Sequence, residues 1–313
     1  MINRREFLAA GMATSSVLPT ISNVFAATKS KLSIRSGRYR LNYAPHFGMF
    51  RCSAGDSLTD QIRFMAENGF SALEDLDLRR RDPSIQKKIH KEIDRHGMRM
   101  GLFTGLAEFG LPTFASGRAD LCAKTLREIR ESVDVAKRMN AKWFSVVPGK
   151  ADFRLPRHVQ TAHVIESLKR AAEICERADV VMLLEPLQPG RESPEMFLQT
   201  LSQSALLCRL VNSPSCRVLF DVYEQSFHFE NLLATIDRYW DVLGYFQIGD
   251  NPGRKEPGTG NIDYQTIFQH LSHKGYTGII GMDHGNSLPG EKGEHAVIAA
   301  YFEHNRRSIQ NQS

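Results

Sequence analysis

The chain has 313 residues, a formal net charge of +5 and five cysteines. That length is enough to enclose one large core. Its basic residues are interspersed with acidic ones, which excludes the footprint of a nucleic-acid surface. Cys52, Cys122, Cys175, Cys208 and Cys216 form no CxxC and no even set, which argues against a disulfide framework.

Arg4-Arg5 precedes an uncharged stretch rich in Ala, Ser, Val and Leu that runs to Ala27. A paired arginine before a moderately apolar run resembles a twin-arginine export signal, and Val24-Phe25-Ala26 fits the small-residue cleavage rule. Residues 1–26 are therefore read as a signal peptide and 27–313 as the mature domain, exported to the periplasm. Cleavage removes Arg4, Arg5 and Glu6 and lowers the formal charge from +5 to +4. The leader is too short and too rich in Ser and Thr to span a bilayer, and no other run is long or apolar enough, so no stable membrane span is expected after cleavage. Folding in a reducing cytoplasm before export suits free, buried thiols and allows a metal to be loaded first.

Short apolar runs then alternate with longer amphipathic ones. Strands are expected at 41–46, 71–78, 99–104, 142–148, 180–185, 217–221, 242–248 and 278–283. Helical spacing of apolar residues predicts helices at 57–68, 83–96, 118–139, 159–178, 194–211, 231–239, 264–275 and 294–306. The cluster Arg79-Arg80-Arg81 falls between the second strand and its helix and reads as a solvated turn. Eight strand–helix units without a Gly-rich phosphate turn favour a closed parallel (β/α)8 barrel, a TIM barrel, over an open nucleotide-binding sheet.

Four successive strands end on groups able to bind a hard cation: Glu185, Asp221, Gln247 and Asp283. The carboxyl ends of the strands are where such barrels keep their chemistry. Three carboxylates and one amide oxygen suit Mg2+ or Mn2+, and a divalent ion relieves the mutual repulsion of converging carboxylates. His46 closes the first strand in Ala-Pro-His-Phe-Gly, as a substrate contact or as a hydrogen-bonded loop histidine. His284 is expected to point away where Asp283 points in. For Trp143, Phe103 and Phe144, barrel packing is the expected role.

The segments Glu185-Pro, Asp221-Val-Tyr, Gln247-Ile-Gly-Asp-Asn-Pro-Gly-Arg-Lys-Glu-Pro-Gly-Thr-Gly260 and Gly278-Ile-Ile-Gly-Met-Asp283 resemble the hydroxypyruvate isomerase family of xylose isomerase-like barrels. The resemblance implies that Glu185 binds metal and acts as acid/base, and that Asp221 and Gln247 are metal ligands. Asp283 stands at the position of a second acid/base that is ordinarily glutamate. It further implies that Arg254 lies near the substrate oxygens and that Glu74 holds substrate or supports the pocket. Glu224 occupies a position that is usually histidine, three residues after Asp221, and is carried as a substrate-side residue.

The chemistry so implied is isomerisation or epimerisation of a small carbohydrate or hydroxy-carbonyl compound through a metal-stabilised enediolate, with Mn2+ or Mg2+ as cofactor. Glu185 and Asp283 are the expected catalytic pair. Three alternatives stay open: a 3-keto-sugar lyase or dehydratase on the same barrel, a non-catalytic sugar-binding barrel, and the apurinic endonuclease branch. The last would need additional histidines for zinc that these strand ends lack. Oligomeric state is open, a homo-oligomer being one option.

Overall fold

The computed structural model describes residues 39–187 and 195–310. The expected signal peptide, its cleavage point and the expected helix start at 194 lie outside these residues. The strands are β1 (Asn42–Ala44), β2 (Ala72–Leu73), β3 (Arg99–Met100), β4 (Phe103–Ala107), β5 (Trp143–Val147), β6 (Val181–Leu184), β7 (Cys216–Asp221), β8 (Leu243–Ile248) and β9 (Ile279–Met282). β3 and β4 are two parts of the expected third strand, interrupted at Gly101 and Leu102.

All strand pairs are parallel, in the order β1-β9-β8-β7-β6-β5-β4, with β2 beside β3. The ring closes where Glu74 N–H donates to the Pro45 carbonyl at 3.0 Å and His46 pairs with Glu74 in a parallel bridge. Gly101 N–H donates to Leu73 O at 2.7 Å on the other side of β2. The result is the expected (β/α)8 barrel.

Helices cover the outside of the ring. Leu58–Glu67 is capped by Ser57, Pro83–Arg95 by Asp82, Leu232–Tyr239 by Asn231 and Tyr264–His273 by Asp263, each side chain accepting from a backbone N–H of the first turn. Ala119–Met139, Arg157–Glu176 and Gly290–Gln310 are the long ones. Phe103, Phe144, Phe220, Phe246, Ile280 and Met282 point outward into the core between ring and helices. Each such buried side chain contributes about 1.5–3 kcal/mol.

Two expectations need correction. The helix expected over 194–211 begins at Leu201, capped by Thr200. Ahead of it, Ala151 N–H donates to Glu195 O at 2.8 Å and Phe197 N–H to Gly149 O at 3.0 Å; pairing with the loop after β5 takes the backbone groups a helix would use. The arginine turn is solvated only in part: the Arg80 side chain is 67% exposed, whereas its two neighbours are engaged. Arg79 donates to Gly105 O at 2.8 Å and pairs with Glu131 at 2.7 Å, and Arg81 is bound by Asp75. All five cysteines are free thiols, with Cys175, Cys208 and Cys216 buried; burial pushes the Cys175 thiol up to about 12. No helix among the described residues is long and apolar enough to cross a membrane.

Candidate active site

The interior of the ring is built in layers. Ala44, Ala72, Leu102, Leu183, Leu219, Tyr245 and Ile279 pack together inside it as an apolar floor. Side chains alternate along a strand, so the residue two positions further on faces the same way. That step leads from Ala44 to His46, Ala72 to Glu74, Leu183 to Glu185, Leu219 to Asp221, and Tyr245 to Gln247. From Ile279 it leads through Gly281 to Asp283. A polar layer thus sits on the floor at the carboxyl ends of the strands.

Gln247 and Glu74 join across this layer. Gln247 Nε2 donates to the Glu74 carboxyl oxygens at 3.2 and 3.4 Å, and both residues are almost fully buried. β1 and β9 lie between their strands in the ring, and Gly281 makes the contact feasible: a Cβ there would overlap the Glu74 carboxylate. A carboxylate only accepts, so the amide nitrogen faces Glu74 and the amide oxygen is turned away from it. Gln247 Oε1 is buried without a hydrogen-bond partner among the described residues. An orphaned buried oxygen of this kind is costly unless a ligand meets it.

Above this pair Arg254 draws three carboxylates together. Its Nη2 donates to Asp221 Oδ2 at 2.7 Å and to Asp283 Oδ2 at 2.8 Å, its Nη1 to Glu224 Oε1 at 2.6 Å, and its Nε to the Asp283 carbonyl at 3.0 Å. The Tyr223 ring covers the guanidinium, 4.6 Å from its centroid. Burial alone would lower the Arg254 pKa, but the attraction of Asp221, Asp283 and Glu224 outweighs it and holds the group well above its ordinary value. Asp221 also closes the turn after β7, its Oδ1 accepting from Tyr223 N at 3.0 Å.

Arg254 has φ of +48°, a left-handed conformation that a side-chain-bearing residue adopts at a cost of about 1–2 kcal/mol. The loop that imposes it is organised by Asp250, which is fully buried. Asp250 Oδ1 accepts from Asn251 N at 2.9 Å and Ile262 N at 3.1 Å; Oδ2 accepts from Gly258 N at 2.9 Å and Gly260 N at 2.8 Å. A Cβ at Gly260 would run into the Asn251 carbonyl, which explains the glycine. Glu256, also buried, accepts from Ser287 N at 2.9 Å and ties this loop to the one after β9.

Glu185 directly follows β6, is buried, and its N–H donates to Val146 O at 3.1 Å. His46 has Nδ1 2.9 Å from Phe47 O and Nε2 3.2 Å from His284 O, so it is tied to the loops at the mouth of the ring. His284 turns outward, as alternation from Asp283 requires. Its Nδ1 donates to Gly285 O at 3.0 Å and its Nε2 accepts from the Tyr301 hydroxyl at 2.8 Å. Burial pushes its pKa down to about 3, so it is a neutral packing residue. Trp143 meets Tyr245 edge-on at 5.6 Å on the floor, while Phe103 and Phe144 pack outside the ring.

The grouping differs from a simple four-ligand convergence. Asp221 and Asp283 meet at Arg254, and Gln247 is held by Glu74. Among the described residues no three His, Cys, Asp or Glu side chains stand close enough together to cage an ion by themselves. The donor set nevertheless suits a hard cation, being all oxygen and including the orphaned Gln247 Oε1. Sequence reasoning missed the organising roles of Asp250 and Glu256 and the cover provided by Tyr223. Asp250 left a signal, an acid two residues past the end of a buried strand. A hollow of about 280 Å3 at the opposite, amino-terminal end of β3 and β5 is lined by Met98, Arg99, Met139 and Trp143 and holds none of these groups.

The sequence model of the xylose isomerase-like TIM barrel family matches residues 62–301. The chain belongs to this family. The hydroxypyruvate isomerase of Escherichia coli is 26% identical over 165 residues, 53% of this chain and 64% of that protein. The 2-oxo-tetronate isomerase of Cupriavidus necator is 24% identical over 203 residues, 63% of this chain and 76% of that protein. The chain spans about half the length of several other relatives it matches. Among solved structures, the E. coli 3-keto-D-glucoside 4-epimerase superposes with a TM-score of 0.68 at 17% identity, covering 84% of this chain and all of that one. An AP endonuclease family 2 protein from Brucella melitensis superposes with a TM-score of 0.67 at 23% identity, covering 81% of this chain and 96% of that one. These structural likenesses speak for the barrel.

Proposed function

We propose that this xylose isomerase-like barrel is an isomerase or epimerase of a small hydroxy-carbonyl compound, moving a proton at carbon beside a carbonyl. The observation that carries the reading is the polar layer at the strand ends. There Arg254 clasps Asp221 and Asp283, Glu185 stands at the end of β6, and the amide oxygen of Gln247 is buried without a partner among the described residues. Relatives named as hydroxypyruvate and 2-oxo-tetronate isomerases support it. Glu185, Asp221, Gln247 and Asp283 would hold a divalent cation, Mn2+ or Mg2+. When bound, that ion supplies Lewis-acid stabilisation of the charge that develops on the carbonyl oxygen.

The remaining work falls to the chain's own residues. Glu185 takes the proton from carbon, and Asp283 returns one to the neighbouring carbon or to the opposite face. Arg254 offers its one remaining Nη1 hydrogen to a substrate oxygen and holds the Asp283 carboxylate in place. Glu74 fixes the Gln247 amide so that its oxygen faces the reacting centre. The buried floor of Leu183, Leu219 and Tyr245 excludes water from below.

A calorimetric titration with Mn2+, followed by a screen of ketoses and keto sugars in deuterated water, tests the reading. One equivalent of Mn2+ is expected to bind, with deuterium entering one substrate carbon and product mass otherwise conserved. Gln247→Leu should weaken Mn2+ binding about tenfold or more. Absence of stoichiometric binding would remove the metal, and loss of water or of a glycosyl group would reassign the reaction to a lyase.

We also propose export to the periplasm by the twin-arginine route, on the strength of Arg4-Arg5 and the cleavage pattern at Val24-Phe25-Ala26. Expression of the full chain should give a periplasmic species starting near Ala27 by mass spectrometry. The double substitution Arg4→Lys with Arg5→Lys should leave the chain uncleaved in the cytoplasm. Unaltered export of that variant would refute the route.

A further inference from the structure

We infer that Glu224 is a specificity-determining residue that sets the site for a substrate ending in an uncharged hydroxymethyl or hydroxymethine group and against one ending in a carboxylate. The inference rests on the isomerase reading above and names the substrate class for that site. Arg254 is the group in this cluster that a substrate carboxylate would seek, because a guanidinium offers parallel N–H pairs. Those pairs are already taken. Nη2 serves Asp221 and Asp283, Nε serves the Asp283 carbonyl, and one Nη1 hydrogen serves Glu224. Of the five donors a single Nη1 hydrogen is left over among the described residues, and the Tyr223 ring lies over the guanidinium.

Glu224 stands at the outer edge of this arrangement. Its side chain is 35% exposed, against 10% for Asp221 and 14% for Asp283. A hydroxyl beside it can accept from the Arg254 Nη1 hydrogen and donate to the Glu224 carboxylate. A substrate carboxylate can only accept, and it would lie against a like charge. Three carboxylates face one guanidinium here and Glu185 adds a fourth negative charge, so a divalent cation at the strand ends would leave no positive excess for an anion to exploit.

Hydroxypyruvate and dihydroxyacetone make a matched pair of probes, differing in a carboxylate against a hydroxymethyl group. The measurements are deuterium exchange with Mn2+ present and calorimetric binding, on wild type and Glu224→Gln. Glutamine keeps an oxygen for Nη1, removes the charge and offers N–H to a carboxylate. Wild type should favour dihydroxyacetone, and E224Q should shift the kcat/KM ratio toward hydroxypyruvate by about tenfold or more. The shift should appear in KM rather than kcat, with a parallel shift in binding. An unchanged ratio, a wild type that prefers hydroxypyruvate, or failure of both compounds to bind either protein would overturn the inference. Where both bind without exchange and E224Q shifts their binding ratio, the specificity role stands and the isomerase reading falls. Where exchange proceeds with an unchanged ratio, the reverse holds.

Discussion

Glu185→Gln is expected to lower solvent-deuterium incorporation into substrate by about 10²–10⁴-fold, the range for loss of a positioned general base, while the thermal midpoint moves by no more than about 2 °C. The substitution is nearly isosteric at a buried position directly after β6. It keeps one oxygen and removes the capacity to hold a proton. Alternation from Leu183, which packs in the barrel floor, directs this side chain to the interior. Asp283 is a less clean test of proton transfer, because its carboxylate and its carbonyl both hold Arg254 and its loss would release the guanidinium. Glu185 is also a proposed ligand, so exchange should be read at saturating Mn2+ by NMR. Persisting exchange at the wild-type rate would exclude Glu185 as the base. A collapsed thermal midpoint would mean instead that the residue caps the strand.

The strand ends were legible from the chain alone because the floor and the polar layer are separated by two residues on each strand. Leu183 and Glu185, Leu219 and Asp221, and Tyr245 and Gln247 all show that step, and a period of two is the signal a strand leaves in sequence. The same alternation placed His284 outside. What escaped was everything decided between strands. The Glu74–Gln247 bond joins residues 173 positions apart and depends on the missing side chain of Gly281. Arg254 was read as a residue near substrate oxygens, but its threefold engagement depends on three separate loops. The helix expected from 194 failed for a similar reason: its first turn competes with hydrogen bonds to Gly149 and Ala151, which no local pattern announces.

Asp250→Asn is expected to have the second large effect, on the loop between Gln247 and Gly260 that carries part of the family resemblance. Each carboxyl oxygen of Asp250 accepts two backbone N–H groups. An amide nitrogen in place of either oxygen would confront two donors with a third, leaving buried N–H groups unmet at about 1–3 kcal/mol each. The destabilisation should be about 2–5 kcal/mol, lowering the thermal midpoint by roughly 3–9 °C for a domain of this size. Function should fall with it, because the Arg254 N–H donates to the Asp250 carbonyl at 2.7 Å and the Asp250 N–H to the Lys255 carbonyl at 2.8 Å. Once this turn relaxes, Arg254 has no reason to keep its left-handed backbone, and its grip on Asp221, Glu224 and Asp283 loosens together. KM should therefore rise for charged and uncharged substrates alike, whereas Glu224→Gln should separate them. A thermal midpoint within about 1 °C of wild type with unaltered KM would show that the four N–H groups find other partners and that Arg254 is held by its carboxylates alone.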